Sequence, residues 1–388
     1  MTNMFDYLKW RGDVTFDAYP INEVDSVIFS QLSYVPFDKI VSSEINAPGK
    51  TIEEIYDMYF SNPDKKINLG AIIPAEKIVP LFSMMSHSAR FKDVRVRAYI
   101  NEVDKDEEKQ LCAMCFDLPN GNVYVAFRGT DDNLVSWKED LNMALFTPIP
   151  AQKDAVEYLT KICQATNEKI YIGGHSKGGN LAVYSAFMID RELQGKIATV
   201  HSFDGPGFRE DFLEITNTNP VMRRKITNFL PQGSIVGSIF DTIGRNIYVK
   251  SNATGLFQHD TFSWYLERIN FITVPSLSRS SIQFHTSLKQ WVAELTDEEK
   301  RSFVEAFFKL CDSCDAATLS DILTNKTKFI GALFKADGTT KKTMFKTVGK
   351  SVKSFLGIKK STPAGLTKEE TQVLQKAHLL EGTKKLKS

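Results

Sequence analysis

One serine in the sequence lies between glycines in a pattern that is typical of a catalytic nucleophile. The segment YIGGHSKGGNLAVY, residues 171–184, places Ser176 between Gly174 and Gly178 in the pattern G-x-S-x-G. A short buried strand precedes the pattern and an amphipathic helix follows it, which is the context of a nucleophile elbow. Side chains two positions before and after the serine would collide in so tight a turn, so glycine is required at both. The segment predicts an activated serine, with an ordinary tight bend as the alternative.

A serine nucleophile needs a base to accept its proton, and four histidines follow it in the chain. His259 stands in GLFQHDTFSW, a loop soon after the predicted strand NIYVKS, and is the predicted base. His285 is an alternative, although it falls inside the helical pattern IQFHTSLKQW. His201 lies within a predicted strand, where core packing explains it, and His378 lies in a charged tail. A purely structural role for His259 is the remaining alternative.

The hydrophobic periodicity of the chain predicts the elements that must hold these residues. Residues 1–95 have mostly the apolar spacing of helices, and TIEEIYDMYF opens with a capping-box pattern. Strands follow, two of them joined by a turn at Pro119 to Asn122, and from about residue 110 strands and helices alternate. This order predicts a mainly parallel sheet with helices on its faces. From about residue 280 the pattern is helical again.

A second motif, VYVAFRGTDDNLVSWKEDL at residues 123–141, gives the elbow a family context. Together with G-H-S-x-G-G it resembles the α/β-hydrolase superfamily and, within it, the class 3 lipases, among them a bacterial branch named Mbeg-like. The resemblance spans roughly residues 1–275. It implies an α/β-hydrolase fold with a mostly parallel central sheet and a helical N-terminal segment. The expected organisation is a lipase-like domain at 1–280 and a helical C-terminal extension with a basic amphipathic tail at 281–388.

The resemblance also implies an oxyanion hole. Thr130 matches the Ser or Thr that follows the strand in this family, and Lys177 would supply the second backbone N–H. Thr130 as an ordinary turn residue is the alternative. Residues 131–150 match a lid over an acyl pocket, or simply cover the sheet edge. Lys177 departs from the apolar residue that is common there, and a cation beside the oxyanion suggests an anionic or polar ester head group.

The acid that would orient the base departs from the family pattern. Gly233 and Ser234 stand where class 3 lipases carry the acid. Asp204, in HSFDGPGF at the end of the preceding strand, is the predicted substitute, because carboxyl ends of strands carry catalytic groups in open α/β sheets. It also keeps the superfamily's chain order of serine, acid and histidine. Asp241 and a dyad without an acid are the alternatives, and a dyad would orient the base less well.

The C-terminal tail is strongly basic, whereas the rest of the chain is acidic. From Lys326 onward there are fifteen lysines, no arginine and four acidic residues, a net charge of +11, which leaves −10 for residues 1–325. Residues 341–360 place apolar residues on one helical face, which is typical of a helix on an anionic membrane surface. A helix docked on the protein body is the alternative. Nucleic-acid binding is not expected, because the tail has no arginine and no stacking platform.

Composition limits the compartment and the cofactors. The N-terminus lacks the apolar core of a signal peptide, and no apolar stretch is long enough to span a membrane. The chain has five cysteines, and an odd number without a signal peptide favours reduced thiols and therefore a cytoplasmic protein. The protein would be peripheral to the membrane if the basic helix binds lipid. A zinc site at Cys112/Cys115 and Cys311/Cys314 is disfavoured, because a strand would direct the first two side chains to opposite faces. No metal or organic cofactor is implied.

The sequence therefore favours a serine hydrolase that cleaves carboxylic esters or thioesters, of small molecules or lipids. In this hypothesis Ser176 attacks, His259 acts as base and then as acid, and Asp204 orients His259. The competing hypothesis is a hydrolase-fold binding or scaffold protein at a membrane, which the missing family acid at Gly233 and Ser234 favours. An amidase or peptidase is a third hypothesis.

Overall fold

The computed structural model divides the chain into two compact units, residues 1–278 and 279–388. It describes residues 2–61, 75–104, 106, 109–130, 138–140, 142, 143, 146, 148–313, 331, 336 and 338. The predicted amphipathic helix at 341–360 lies outside the described residues, as do residues 131–137 of the predicted lid.

One large sheet runs through the first unit, and nine of its strands lie in the described residues. In spatial order they are β1 (Lys50–Thr51), β2 (Arg95–Asp104), β3 (Lys109–Asp117), β4 (Val123–Phe127), β5 (Ile170–His175), β6 (Ile197–Phe203), β7 (Ile226–Pro231), β8 (Arg245–Val249) and β11 (Thr273–Val274). Two further strands, β9 (Leu266–Glu267) and β10 (Asn270–Phe271), form a small ribbon. The four pairs from β4–β5 to β7–β8 are parallel, and the other pairs are antiparallel.

Helices connect the parallel strands and precede the sheet. In the first unit they are α1 (Met4–Arg11), α2 (Glu23–Leu32), α3 (Ile52–Phe60), α4 (Ala75–Ser86), α5 (Pro150–Ala165), α6 (Lys177–Met188), α7 (Arg191–Gln194), α8 (Glu210–Asn217) and α9 (Pro220–Arg224). The second unit contains α10 (Arg279–Ala293) and α11 (Asp297–Ser313). In the part of the chain that is described, no helix combines the length and the hydropathy needed to cross a membrane.

Alternate residues of the central strands face two separate hydrophobic cores. In β3, Cys112 and Met114 pack with residues of helices α1 to α4, whereas Ala113 and Cys115 pack with residues of α5 and α6. Because both faces of the sheet are covered at its centre, β3 and β4 are nearly continuous buried runs of mostly apolar residues. This three-layer arrangement confirms the expected α/β-hydrolase fold with a mostly parallel central sheet.

A buried ion pair fixes the N-terminal helices. Asp25 and Arg90 are both fully buried, and the guanidinium donates through Nε and Nη2 to the two carboxylate oxygens at 2.8 and 2.5 Å. Asp25 is also part of the capping box that begins α2, since it accepts the backbone N–H of Asn22. The same pair therefore sets where α2 begins and how it is held.

Loss of this pair should destabilise the first unit strongly. We expect Arg90→Met to lower the free energy of unfolding by about 3–5 kcal/mol, because it leaves the Asp25 carboxylate buried without its cation. Urea unfolding followed by circular dichroism measures the change. The control is Lys161→Met, which removes an exposed partner of Glu157 and should cost less than about 1 kcal/mol. Equal costs for the two variants would contradict the prediction.

Candidate active site

Ser176 lies in a strained turn between strand β5 and helix α6. Its backbone has φ 58° and ψ −132°, a region that residues with a side chain rarely adopt. The turn is held on both sides, because the Ser176 N–H donates to the Phe203 carbonyl at 3.0 Å and its own carbonyl accepts from Gly179 at 2.9 Å. The hydroxyl is thereby presented at the N-terminus of α6, at the carboxyl edge of the sheet.

The two glycines of the motif lie where no side chain fits. A Cβ at Gly178 would overlap the carbonyl oxygen of Phe127 at the end of β4, and one at Gly174 would overlap the backbone of Gly178. Helix α6 therefore crosses β5 and β4 at backbone contact distance. This close approach brings the segment after β4, which includes Thr130, beside the serine.

His259 and Asp204 lie in direct contact. The Nδ1 atom of His259 is 2.7 Å from Oδ2 of Asp204, and the aspartate is fully buried. Asp204 follows β6, and it too has a left-handed backbone, with φ 48°. Because a carboxylate only accepts, the histidine donates from Nδ1, which leaves Nε2 as the ring atom that can take a proton.

Two residues that follow strand β7 donate hydrogen bonds to the other carboxylate oxygen of Asp204. Its Oδ1 accepts the Ser234 hydroxyl at 2.5 Å and the Gly237 backbone N–H at 3.1 Å. Gly233, in turn, donates its N–H to the side chain of Gln258 at 2.8 Å. Ser234 and Gly233, where the sequence led us to expect the acid of a class 3 lipase, thus support Asp204 and the histidine loop.

Three of the other candidates for base and acid also lie in the described residues. His201 is on β6 with its ring against Phe203 and Phe229, and burial lowers its pKa to about 4. His285 belongs to α10 in the second unit. Asp241 pairs through its backbone carbonyl with the N–H of Phe208.

The side chain of Lys177 is fully buried and does not offer its charge to a ligand. Its Nζ donates to Glu139 at 2.8 Å and to the backbone and side-chain oxygens of Gln110 at 2.9 and 3.0 Å. The suggestion of a cation beside the oxyanion is therefore wrong, because the ammonium is neutralised within the protein. Only the backbone N–H of Lys177 remains available for an oxyanion.

Thr130 is held by Asp140, the residue that follows Glu139. The Thr130 hydroxyl donates to Oδ2 of Asp140 at 2.5 Å. Oδ1 of Asp140 is buried and has no hydrogen-bond partner among the described residues. Burial raises the pKa of the Asp140 carboxyl to about 6, although Lys177 and the Thr130 hydroxyl both act to lower it. Two consecutive carboxylates, at 139 and 140, thus hold the two residues of the expected oxyanion hole.

A small cavity of about 70 Å³ opens beside Ser176. Its walls are mostly apolar, and its lining side chains include Met143, Val236, Ile239 and Phe240. Phe240 has φ 62°, an unusual value for a bulky residue, and backbone hydrogen bonds on both sides of it hold it to the turn after β6. In the described part of the chain, no group of three or more His, Cys, Asp or Glu side chains is arranged to hold a metal.

Sequence reasoning missed the contacts of the residue before the serine. His175 is buried, with Nδ1 3.0 Å from the Tyr34 hydroxyl and Nε2 2.8 Å from the backbone carbonyl of His259. Nothing local in the sequence indicates Tyr34. The roles of Glu139, Asp140 and Ser234 were missed for the same reason, since each depends on a contact with a distant part of the chain.

The chain matches one family model and, at low identity, several solved structures. The family model Mbeg1-like matches residues 85–309. The native Rhizomucor miehei lipase propeptide complex matches with 15% identity and a TM-score of 0.33, over 44% of this chain and 66% of that chain. A triacylglycerol lipase from Penicillium expansum matches with 12% identity and a TM-score of 0.30, over 45% of this chain and 73% of that chain. No curated protein matches the chain.

The buried carboxyl of Asp140 should make stability depend on pH. Its pKa of about 6 in the folded state exceeds the ordinary value of 3.8, so folding favours the neutral form. Ionisation then penalises the folded state increasingly as pH rises from about 4 to beyond 6. We expect Asp140→Asn, whose amide oxygen still accepts from Thr130, to gain stability relative to the wild type across this window.

Urea unfolding of both proteins at pH 4, 5, 6 and 7 measures the effect. Glu44→Gln, at an exposed loop carboxylate, controls for the loss of one negative charge. A difference between wild type and Asp140→Asn that stays constant from pH 4 to 7 would contradict the prediction.

Proposed function

The chain belongs to the Mbeg1-like family, and on this premise we propose that it is a lipase-like serine hydrolase that cleaves carboxylic esters. The observation that carries the proposal is the hydrogen bond between His259 and a fully buried Asp204, at the sheet edge where Ser176 lies in a strained turn. Such strain is retained where function requires a side chain to be presented. A structural bend would need neither the strain nor the paired histidine.

In the proposed reaction Ser176 Oγ attacks the ester carbonyl carbon while His259 Nε2 takes the hydroxyl proton. The Asp204 carboxylate keeps Nδ1 protonated and stabilises the imidazolium that forms. The backbone N–H groups of Thr130 and Lys177 donate to the oxyanion, and each such donor contributes about 10²–10³ in rate. The imidazolium then protonates the departing alcohol, leaving an acyl group on Ser176, and water attacks this ester by the same steps in reverse.

The competing hypothesis of an inactive scaffold depended on the absence of the family's acid. Asp204 supplies a carboxylate at the end of the neighbouring strand, and Ser234 donates a hydrogen bond to it. The contact between Asp204 and His259 therefore weighs against that hypothesis. We retain the hydrolase as the proposal.

Apolar groups around the site favour an ester with an apolar acyl or alcohol part. The cavity beside Ser176 is lined mainly by apolar side chains. On the turn that leads to His259, Phe257 is 81% exposed and Leu256 is 41% exposed. Gly255, with φ 56°, begins this turn, and the segment 251–259 contains no Asp, Glu, Lys or Arg. A lipid-like ester would cover surface that is otherwise in water.

Covalent labelling tests the nucleophile and its base. A fluorophosphonate probe should label the wild type, and Ser176→Ala and His259→Ala should abolish labelling. Asp204→Asn should slow labelling by up to about 10⁴, because the histidine loses the group that fixes its tautomer. The rate is followed by in-gel fluorescence at a fixed probe concentration.

Ser185→Ala is the matched control, since Ser185 is a buried serine on the same helix whose hydroxyl donates to the backbone carbonyl of Ala182. It should label at the wild-type rate. A folded wild type that does not label, with and without detergent, would shift the assignment to the scaffold hypothesis.

Chain-length preference tests the proposed substrate class. We expect Phe257→Ser to lower the ratio of kcat/KM for a 16-carbon over a 4-carbon p-nitrophenyl ester by about tenfold, because an aromatic contact with the longer chain is lost. Val221→Ser is the control, an exposed apolar residue (55%) on α9, which precedes the amino end of β7. An unchanged ratio in Phe257→Ser would argue against a lipid-like substrate.

A further inference from the structure

The contacts of His175 define its protonation state. The partner of Nε2 is the backbone carbonyl of His259, at 2.8 Å, and a carbonyl oxygen can only accept a hydrogen bond. Nε2 therefore carries a proton. If the ring is neutral, Nδ1 has the lone pair, and the Tyr34 hydroxyl at 3.0 Å must donate to it. The chain of donors then runs in one direction, from Tyr34 to His175 and from His175 to the backbone of His259.

Burial keeps His175 neutral. Its pKa is lowered well below the ordinary value, first by desolvation and then by the positive charge that His259 carries when protonated, and the bond to the His259 carbonyl only partly opposes this. The centroids of the two imidazole rings lie 4.4 Å apart. A neutral ring at this distance is compatible with an imidazolium at His259, whereas a second cation would repel it.

Resting on the proposed function, we propose that Tyr34 and His175 are positioning residues for the base. Tyr34 selects the Nε2–H tautomer of His175, and that N–H holds the backbone of His259 so that its ring stays on Asp204. With the other tautomer, a nitrogen lone pair would face the His259 carbonyl, and the two would repel each other. The histidine of the G-H-S motif therefore serves the base rather than the nucleophile that follows it.

We call the hydrogen bonds from Tyr34 to His175 and from His175 to the His259 carbonyl the relay. Tyr34 also lies against the segment that contains Thr130, on the oxyanion side of the site. A Cβ at Gly129 would overlap the Tyr34 hydroxyl and would also come within 2.6 Å of the His175 carbonyl oxygen. The chain before Thr130 thus passes directly over the tyrosine. Tyr34 follows α2 and lies outside the residues that the family model matches, so the N-terminal helices supply a part of the site.

Removing one hydroxyl tests the relay. We expect Tyr34→Phe to lower the rate constant of the covalent step with a fluorophosphonate about tenfold, with less than about a twofold change in the constant for reversible probe binding. In ¹⁵N-histidine-labelled protein, NMR should show the Nε2–H tautomer of His175 in the wild type and a mixture of tautomers in Tyr34→Phe. The His175 signals are assigned by their loss in His175→Gln.

Tyr124→Phe is the matched control. Its hydroxyl is equally buried and binds Ser26 and Ser30 of α2, so it tests whether any loss comes from looser docking of this helix. This variant should keep the wild-type labelling rate and the wild-type tautomer. Equal losses of rate in Tyr34→Phe and Tyr124→Phe would overturn the proposal, as would an Nδ1–H tautomer of His175 in the wild type.

The two arms separate the relay from the proposed function. If the wild type does not label but His175 has the expected tautomer only while Tyr34 is present, the hydrolase assignment fails and the hydrogen-bonded relay stands. If the wild type labels and Tyr34→Phe labels at the same rate, the hydrolase assignment stands and the relay fails.

Discussion

The close approach of helix α6 to the end of strand β4 is the constraint on which the site depends. It is possible only because Gly178 has no side chain where the Phe127 carbonyl lies, and because Gly174 leaves room for Gly178. The approach forces Ser176 into its strained turn and brings the segment after β4 alongside. The serine and Thr130 are therefore positioned by one backbone contact. Any side chain at Gly178 would move both, so the geometry of attack and of oxyanion binding is coupled.

The predicted acid, Asp204, follows strand β6 rather than β7, and it still contacts the predicted base, His259. Strands β6 and β7 are adjacent and parallel, so residues that follow them meet at the same edge of the sheet. Asp204 reaches His259 from the end of β6, and Ser234 reaches Asp204 from the end of β7. A serine at this place can donate to a carboxylate, whereas a second carboxylate would repel it. The departure from the family pattern at position 234 is thus consistent with an aspartate at 204.

The sequence predicted the features of the site that depend on neighbouring residues. It missed those that depend on contacts between distant parts of the chain. The glycines around Ser176 and the Gly-Pro-Gly turn after Asp204 leave a signal within a few residues, and the mainly parallel sheet with helices on its faces follows from the order of strands and helices. The side chain of Lys177 leaves no such signal. Its sequence neighbours are those of an exposed elbow residue, yet the ammonium binds Glu139, and only the three-dimensional arrangement brings these two together. Tyr34 could not be found for the same reason.

The two carboxylates near the expected oxyanion hole have opposing effects on the proposed reaction. Glu139 and Asp140 place two carboxylates where a substrate would develop negative charge, which by itself would oppose the reaction. Lys177 neutralises the first, and burial raises the pKa of the second to about 6, which makes its ionised form less favourable than it would be in water. In return, Asp140 holds the Thr130 hydroxyl and Glu139 holds Lys177, the residues whose backbone N–H groups would bind the oxyanion. Donors that are fixed before substrate arrives need no reorganisation during the reaction, and rigidity of this kind requires strong acceptors close by. The cost of a nearby negative charge and the benefit of fixed donors come from the same two side chains.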